Sequence, residues 1–286
     1  MKNKLNKIAR DTNTSLKKFI NNQGNSELIP SMKYGLFPGG KKIRSKILVD
    51  IGSLLSINYK TLIKIGAAVE CIHAYSLIHD DLPCMDDDSL RRGKPSTHIK
   101  FGESTAILAG NSLLTTAFEI LSDKKFKVDD NIKSNLIYFL SRCSGQIGIA
   151  GGQYLDLNYE KKKVSLQKVL NMELKKTGKL FEFCCVAPLI IKKNKKNLNY
   201  FSKLGKDIGL LFQIADDLID FKGKTKSVGK KTKKDFKRGK ATIISLLGYG
   251  NAVKYTQKLK QNIFHKLEIY SNKANELRET IEFIIE

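Results

Sequence analysis

The stretch "LIHDDLPCMDDDSLRRGKPSTH", residues 77–98, concentrates carboxylates in a way that points to chemistry. Five aspartates fall within nine residues, and the pair Arg91 and Arg92 follows almost at once. Carboxylates packed this closely repel one another unless cations lie between them. The whole chain carries a net charge of +23, so this local negative charge runs against the overall composition. The pattern indicates a site that gathers cations.

The spacing within this first cluster predicts a chain that turns back on itself. Asp80 and Asp86 are six residues apart, which would separate them by about 120° on an ideal helix. Pro83 is not tolerated inside a regular helix, so we expect the helix to end or bulge and Asp86 to return beside Asp80. His73 lies seven residues before Asp80, about two helical turns back on nearly the same face.

A second acidic cluster lies in "FQIADDLIDF". Asp216 and Asp220 are four residues apart and would share one helix face, with Gln213 one turn earlier. The flanking residues are apolar on most sides, which argues against an amphipathic helix that simply turns its acids to solvent. Acids in such surroundings are costly unless a cation neutralises them, so this cluster also predicts a cation site.

Two carboxylate clusters on separate helices facing one cavity would form a site for hard cations. Mg²⁺ is held through a few carboxylates, and water or phosphate oxygens complete its octahedron. Basic residues accompany the acids: Arg91 and Arg92 follow the first cluster, and Lys41, Lys42 and Arg44 follow a Pro-Gly-Gly turn. Arginine contacts phosphate through two nitrogens and lysine acts as a point charge. The combination predicts a diphosphate that magnesium bridges to the acids.

The large positive charge has two interpretations. The chain contains 44 lysines but only 7 arginines, whereas proteins that read nucleic acid usually rely on arginine as well. Scattered lysines favour a compositional bias with solvated charge. A surface for anionic substrates or polymers is the alternative, and a basic nucleic-acid-binding protein remains a hypothesis of a different class.

Cysteine usage and hydropathy bear on the cellular compartment. The five cysteines form no CxxC pair and their number is odd, which argues against a disulfide framework and a zinc site. The longest nearly uncharged apolar run, residues 183–191, is too short to span a bilayer, and the first residues lack the apolar core of a signal peptide. We expect a cytoplasmic protein with reduced thiols and no membrane insertion.

The elements that must position these residues are helices. Apolar residues recur at three- and four-residue spacing along nearly the whole chain, and alternating strand patterns are almost absent. We expect one all-α domain over residues 1–286, a bundle of about ten or more helices around a central cavity. The predicted helices cover 2–22, 26–36, 41–57, 60–82, 102–122, 129–150, 165–191, 197–221, 240–249 and 251–285.

Taken together, the motifs resemble the trans-isoprenyl diphosphate synthases. "GGKKIR", "DDLPCMD", "RRGKPSTH", "GQYLDL", "KTG" and "DDLID" occur in matching order, and the likeness covers roughly residues 30–286. The first motif and its surroundings are most similar to bacterial members that make farnesyl diphosphate. The resemblance implies the isoprenoid synthase fold, a homodimer, and a magnesium-dependent condensation of isopentenyl diphosphate with dimethylallyl and geranyl diphosphate. A geranylgeranyl or geranyl diphosphate product is the alternative within the family.

The resemblance also implies roles for individual residues. It assigns magnesium binding, with three ions when substrate is bound, to Asp80, Asp86 and Asp216, with Asp217 and Asp220 holding metal-bound waters. It assigns the allylic diphosphate to Arg91, Lys176, Thr177, Gln213, Lys230 and Lys240. It assigns isopentenyl diphosphate to Lys41, Arg44, His73 and Arg92. Among these residues, Asp80, Asp86, Asp216, Lys176, Thr177 and Gln213 are the candidate catalytic set. Gln153 and Asp156 are interpreted as structural.

Product length is a separate question. An aromatic residue five positions before the first aspartate resembles the floor that stops chain growth at fifteen carbons, which makes Tyr75, with Ser76 beside it, the candidate chain-length residues. A helical wheel puts Ser76 on the face of Asp80 but Tyr75 about 140° away, so geometry alone would not select Tyr75. A core tyrosine without a role in product length is the alternative.

The chain departs from the family pattern at two places, and two related classes compete. Ser45 and Ile244 stand where the family often has proline, which puts local stability in doubt. A terpene cyclase shares the fold and the first motif but would normally replace "DDLID" with another triad. A non-catalytic partner subunit usually lacks one of the motifs, and both are present here.

Overall fold

The computed structural model describes residues 1–222 and 239–285. The contacts divide the chain into two compact units, Met1–Ile137 and Tyr138–Glu286. Helices dominate both units, which confirms the all-α fold class. The expectation that residues 1–286 act as one domain stays a prediction.

The first unit contains six complete helices and a minimal hairpin. The hairpin pairs strand β1 (Leu90–Arg91) with strand β2 (Lys94–Pro95) in antiparallel register. The helices are α1 (Lys2–Asn21), α2 (Ile29–Leu36), α3 (Ile43–Leu54), α4 (Tyr59–Asp80), α5 (Thr97–Phe101) and α6 (Glu103–Ser122), and the unit boundary falls within α7 (Asp130–Ser144).

Helix α4 is the core element of this unit. Asn58 caps its start by accepting a hydrogen bond from the Lys60 N–H at 2.9 Å, and α1, α3 and α6 all pack against it. By length and composition α4 is apolar enough to cross a bilayer. The sequence analysis missed this helix because it considered only apolar runs that are nearly free of charge. However, 72% of its most apolar window is buried inside the protein. Its hydropathy is therefore accounted for by its place in the core.

The second unit is also helical. Its helices are α8 (Ile149–Tyr159), α9 (Leu166–Glu173), a π-helical turn (Leu174–Gly178), α10 (Lys179–Ile191), α11 (Leu198–Lys222), α12 (Ile243–Leu247), α13 (Tyr249–Leu267), a 3₁₀ segment (Glu268–Ala274) and α14 (Asn275–Ile285). Helix α11 contacts α9, α10, α12, α13, α14 and the π-helical turn, so it has the same central place here as α4 has in the first unit.

Two predicted helices are interrupted in the structure, and a third contains an irregular turn. The helix expected over 129–150 ends at Ser144, and a separate helix α8 follows, because Gly148 adopts φ −126° and ψ −133°, outside the helical region. The helix expected over 251–285 is interrupted at Ser271, where φ is +46°. The helix expected over 165–191 is continuous but contains the π-helical turn, a local widening that apolar spacing does not reveal.

Both departures from the family pattern are compensated locally. The backbone N–H and the hydroxyl of Ser45 donate to Glu70 Oε1, at 3.4 and 2.9 Å, and a proline at this position would have no N–H to donate. Helix α12 starts without proline because Thr242 and Ser245 form a reciprocal capping box. The doubt about local stability at these positions is therefore answered by specific hydrogen bonds.

The capping box can be tested directly. Thr242→Ala removes the acceptor of the Ser245 N–H, so we expect the free energy of unfolding to fall by roughly 1 kcal/mol, measured by urea denaturation. Thr115→Ala is the matched control, because the Thr115 hydroxyl only donates to carbonyls of its own helix. We expect the control to change stability by less than about 0.5 kcal/mol, and equal losses in the two variants would contradict the role of the cap.

Candidate active site

The first aspartate cluster forms the turn that its spacing predicted. Helix α4 ends at Asp80, and the Asp86 N–H donates to the Asp80 carbonyl at 2.8 Å. The N–H groups of Asp87 and Asp88 donate to the carbonyls of Leu82 and Asp81, at 3.0 and 3.1 Å. The backbone therefore carries Asp86 back to Asp80, which confirms the geometric expectation drawn from Pro83.

Asp81 is bound to Arg91. The carboxylate is buried and accepts from Arg91 Nε at 3.0 and 3.2 Å and from Arg91 Nη2 at closer range. Asp88 adds a contact to Arg91 at 3.6 Å. Burial raises the pKa of Asp81, and the guanidinium opposes that rise. Asp81 and Asp88 therefore hold the Arg91 guanidinium in place. The predicted contact of Arg91 with a diphosphate stays a prediction.

The Pro-Gly-Gly turn lies against the second arginine. Gly40 has φ +110°, and a Cβ at this position would overlap the Arg92 guanidinium. Glycine suits the positive φ of this turn, and its lack of a side chain leaves room for the Arg92 guanidinium. Lys41, which follows the turn, is exposed.

Glu70 is a buried anion that the sequence analysis missed. Lys42, whose own φ is +49°, places its ammonium 3.3 Å from Glu70 Oε2, and Ser45 contacts the other carboxylate oxygen. Glu70 lies ten residues before Asp80 in an otherwise apolar part of α4. That isolated acid in a core helix was the signal that could have identified it.

Arg44 and His73 are brought together, as the family resemblance implied. Arg44 Nη1 lies 3.4 Å from His73 Nε2. Burial, together with Arg44, Arg92 and other nearby cations, lowers the pKa of His73 well below its usual value. The ring is therefore neutral near pH 7 and offers a nitrogen to a partner without adding positive charge.

The two candidate chain-length residues, Tyr75 and Ser76, lie five and four residues before Asp80, just over one helical turn. Tyr75 is almost fully buried, and its ring packs edge to face against His79, with ring centroids 5.8 Å apart. Burial raises the pKa of Tyr75 to about 12. The Ser76 hydroxyl donates to the His73 carbonyl at 3.0 Å. The role of either residue in product length stays a prediction.

In the second unit, the three aspartates near the end of α11 differ in exposure to solvent. Asp216 is exposed, whereas Asp217 and Asp220 are buried. Gln213 links two elements, because its Oε1 accepts from the Thr177 hydroxyl at 2.8 Å and its Nε2 donates to Asp217 Oδ1 at 2.9 Å. The predicted residues Thr177 and Gln213 are thus in contact, and the exposed carboxylate is the one assigned to direct metal binding.

The predicted lysines of this unit meet at a residue that was interpreted as structural. Asp156 Oδ2 lies 2.5 Å from the Lys176 ammonium and 3.3 Å from the Lys240 ammonium. Burial opposes the effect, but the two lysines lower the pKa of Asp156 below its usual value. Lys230, the third predicted lysine, lies outside the described residues.

A further acid, Glu173, completes this buried group. It ends α9, directly before the π-helical turn. Burial raises its pKa well above the usual value, and the charges of Asp217 and Asp156 add to that rise. Glu173 therefore binds its proton more strongly than a solvated glutamate, and the sequence analysis gave it no role.

Close backbone packing holds α8 against the π-helical turn. A Cβ at Gly152 would lie 2.5 Å from Cα of Lys176 and closer still to its backbone nitrogen. Only glycine allows this approach, because backbone atoms cannot move aside as a flexible side chain can. The contact fixes the backbone of Lys176 against α8. Asp156 lies one helical turn after Gly152, so the contact also sets the position of Lys176 relative to Asp156.

The described acids suit magnesium by type. Within residues 1–222 and 239–285, no group of three Asp, Glu, His or Cys side chains is arranged to hold a metal ion unaided. Mg²⁺ at phosphate-binding sites needs only one or two carboxylates, because water and substrate oxygens complete its shell. Asp80, Asp86 and Asp216 offer carboxylates of this kind.

These features define an all-α protein whose two units each combine carboxylates with clustered cations. The polyprenyl synthetase family model matches residues 25–282. The chain therefore belongs to the polyprenyl synthetase family.

Curated relatives are similar over most of their length. The chain is 41% identical to a farnesyl diphosphate synthase of Escherichia coli over 260 residues, which covers 89% of this chain and 87% of the relative. It is 35% identical to a geranylgeranyl diphosphate synthase of Cyanophora paradoxa, with 97% and 92% covered.

Solved structures are similar as well. An FPP/GFPP synthase from Zymomonas mobilis superposes with a TM-score of 0.87 at 36% identity, covering 99% of this chain and all of that one. A geranyltransferase from Helicobacter pylori, solved with magnesium and isoprenyl diphosphate, gives 0.85 at 29% identity, with 98% and 96% covered.

The close approach at Gly152 leads to a stability prediction. Gly152→Ala forces α8 away from the backbone of Lys176, so we expect the free energy of unfolding to fall by about 1–3 kcal/mol, measured by urea denaturation. Gly250→Ala is the control, because a Cβ at Gly250 would meet no atom within 4 Å. We expect the control to be unchanged or up to about 1 kcal/mol more stable. A Gly152→Ala protein as stable as the control would show that the two elements separate freely.

Proposed function

We propose that this protein is a magnesium-dependent prenyltransferase that makes farnesyl diphosphate. It condenses isopentenyl diphosphate first with dimethylallyl diphosphate and then with geranyl diphosphate. The observation that carries the proposal is the turn after α4, in which Asp86 returns to Asp80 while Asp81 holds Arg91. The curated relatives named as farnesyl diphosphate synthases support the choice of product.

The residue roles follow the family resemblance. Asp80, Asp86 and Asp216 bind three magnesium ions together with the allylic diphosphate. The allylic diphosphate is also held by Arg91, Lys176, Thr177, Gln213, Lys230 and Lys240. Isopentenyl diphosphate is held by Lys41, Arg44, His73 and Arg92. The contact of Arg44 with a neutral His73 and the approach of Arg92 to Gly40 support the second group.

The chemistry needs electrostatic stabilisation more than a protein base. The carbon–oxygen bond of the allylic diphosphate breaks, and the double bond of isopentenyl diphosphate attacks the allylic cation. The released diphosphate takes the proton that the new product loses. Bound magnesium neutralises charge on a departing diphosphate. Lys176 and Arg91 add fixed positive charge that costs no reorganisation during the reaction.

The assembly and location of the protein are part of the proposal. The family resemblance implies a homodimer, and the exposed apolar side chains of Ile99, Ile107 and Leu108 in the first unit supply a surface for a second copy. The five cysteines are all free thiols, as expected of a cytoplasmic enzyme. Nucleic acid and membrane insertion have no role in this mechanism.

The direct experiment is an incubation with isopentenyl diphosphate, dimethylallyl diphosphate and magnesium, with product length measured by chromatography. A fifteen-carbon product that depends on magnesium is expected. A mainly twenty-carbon product would favour a geranylgeranyl diphosphate synthase, to which the Cyanophora relative is a precedent. Magnesium-independent retention on DNA without any turnover would favour the nucleic-acid hypothesis.

Loss of either predicted metal ligand should abolish turnover without unfolding the protein. Asp80→Ala and Asp216→Ala each remove a carboxylate from a cluster whose members repel one another, so stability should be unchanged or slightly higher. We expect kcat to fall roughly 100-fold or more, since lost metal binding removes several kcal/mol of stabilisation. Asp130→Ala is the control, because that side chain is 96% exposed. Wild-type rates at saturating magnesium would refute the metal assignment.

Removal of the predicted floor should lengthen the product. Tyr75→Ala opens space beside α4, so we expect the main product to change from farnesyl to geranylgeranyl diphosphate or longer, with some loss of stability from the cavity. Tyr75→Phe keeps the ring and should still release the fifteen-carbon product. If Tyr75→Ala also stops at fifteen carbons, Tyr75 is a core residue and another group limits chain growth.

A further inference from the structure

Asp156 gathers two cations from separate parts of the second unit onto one oxygen. Lys176 reaches Asp156 Oδ2 from the π-helical turn, at 2.5 Å, and Lys240 reaches the same oxygen from the segment before α12, at 3.3 Å. Asp156 is only 5% exposed. The three groups together carry one net positive charge.

The carboxylate has a physical consequence for the lysines. Two ammonium groups within contact of one oxygen repel each other, and at a partly buried site this repulsion is only weakly screened by salt. A carboxylate between the two ammonium groups attracts both of them and offsets their mutual repulsion. An ammonium group has three N–H donors, so one lysine can contact a carboxylate and a phosphate oxygen at the same time.

We infer that Asp156 is a positioning residue, which holds the Lys176 and Lys240 ammonium groups together for the diphosphate of the allylic substrate. The inference rests on the proposed function, because it takes both lysines as ligands of that diphosphate. Asp156 acts through the lysines and does not itself touch the substrate. The backbone contact at Gly152 supports this role, since it fixes α8 against the turn that carries Lys176.

A purely structural ion pair would be the alternative explanation, and the chain contains a matched example. Glu182 is 4% exposed and also binds two lysines, Lys179 at 2.7 Å and Lys206 at 3.3 Å. The Ser202 hydroxyl donates to it at 2.6 Å. No predicted substrate ligand takes part in this group, so Glu182→Gln removes a buried, doubly paired carboxylate without disturbing Lys176 or Lys240.

The experiment compares Asp156→Asn with Glu182→Gln. For each variant the KM of geranyl diphosphate, the KM of isopentenyl diphosphate, kcat and the urea midpoint are measured with saturating magnesium. We expect Asp156→Asn to raise the KM of geranyl diphosphate roughly tenfold, the effect of misplacing a charge-assisted contact, with the KM of isopentenyl diphosphate unchanged. Glu182→Gln should leave both KM values unchanged, whatever its effect on the midpoint.

A double-mutant cycle tests whether Asp156 acts through a lysine. In the Lys240→Gln background there is no second ammonium to hold, so Asp156→Asn should raise the KM of geranyl diphosphate by a much smaller factor than in the wild type. The same factor in both backgrounds would overturn the inference. So would an unchanged KM in Asp156→Asn, or equal KM changes in Asp156→Asn and Glu182→Gln.

A second variant keeps the inference testable if Asp156→Asn does not fold. Asp156→Glu retains the charge but moves it by one methylene group, and displacements near 1 Å are enough to impair a positioned contact. We expect it to fold and to raise the KM of geranyl diphosphate alone, by a few-fold. An unchanged KM in Asp156→Glu would then overturn the inference. Absence of turnover in the wild type would instead refute the proposed function.

Discussion

The repulsion between like-charged side chains is the constraint on which the charged groups of both units depend. Cations that are to bind a diphosphate must lie close together before the diphosphate arrives. In this protein a buried carboxylate accompanies each group of cations: Glu70 contacts Lys42, Asp81 contacts Arg91, and Asp156 contacts Lys176 and Lys240. Removal of either partner of such a pair would leave an uncompensated buried charge, so each acid and its cations hold one another in position.

The backbone supplies the second level of organisation. The turn after α4 closes through the hydrogen bond from the Asp86 N–H to the Asp80 carbonyl. In the second unit, Gly152 lets α8 approach the backbone of Lys176, and the π-helical turn directs Lys176 and Thr177 to Asp156 and Gln213. A π-helical turn inside a helix is rare and often found at functional sites. Here it occurs at the motif that the family resemblance assigns to substrate binding.

The net charge of +23 says little about this chemistry by itself. The chemistry of the candidate site depends on where the positive charges lie and on which titratable groups are neutral. His73 stays neutral among cations because burial and Arg44 lower its pKa, and Glu173 retains its proton more strongly because burial and nearby acids raise its pKa. Local environment therefore sets the charge state of the candidate site, and composition does not.

The sequence alone determined the helical class, the two aspartate clusters and the turn at Pro83, because apolar periodicity, residue type and the missing N–H of proline act locally along the chain. It also indicated that Lys176, Thr177 and Gln213 belong together, through motifs whose order matched a family.

Tertiary structure alone decided the partners of the buried charges. The contact of Lys240 with Asp156 joins residues 84 positions apart, and the contact of Ser45 with Glu70 joins residues 25 apart. Helix bounds at Gly148 and Ser271 also depended on packing, because both residues adopt backbone angles that no periodicity encodes. Local sequence patterns indicate which residues can bind cations or phosphate. The contacts between residues distant in sequence form only when the chain has folded.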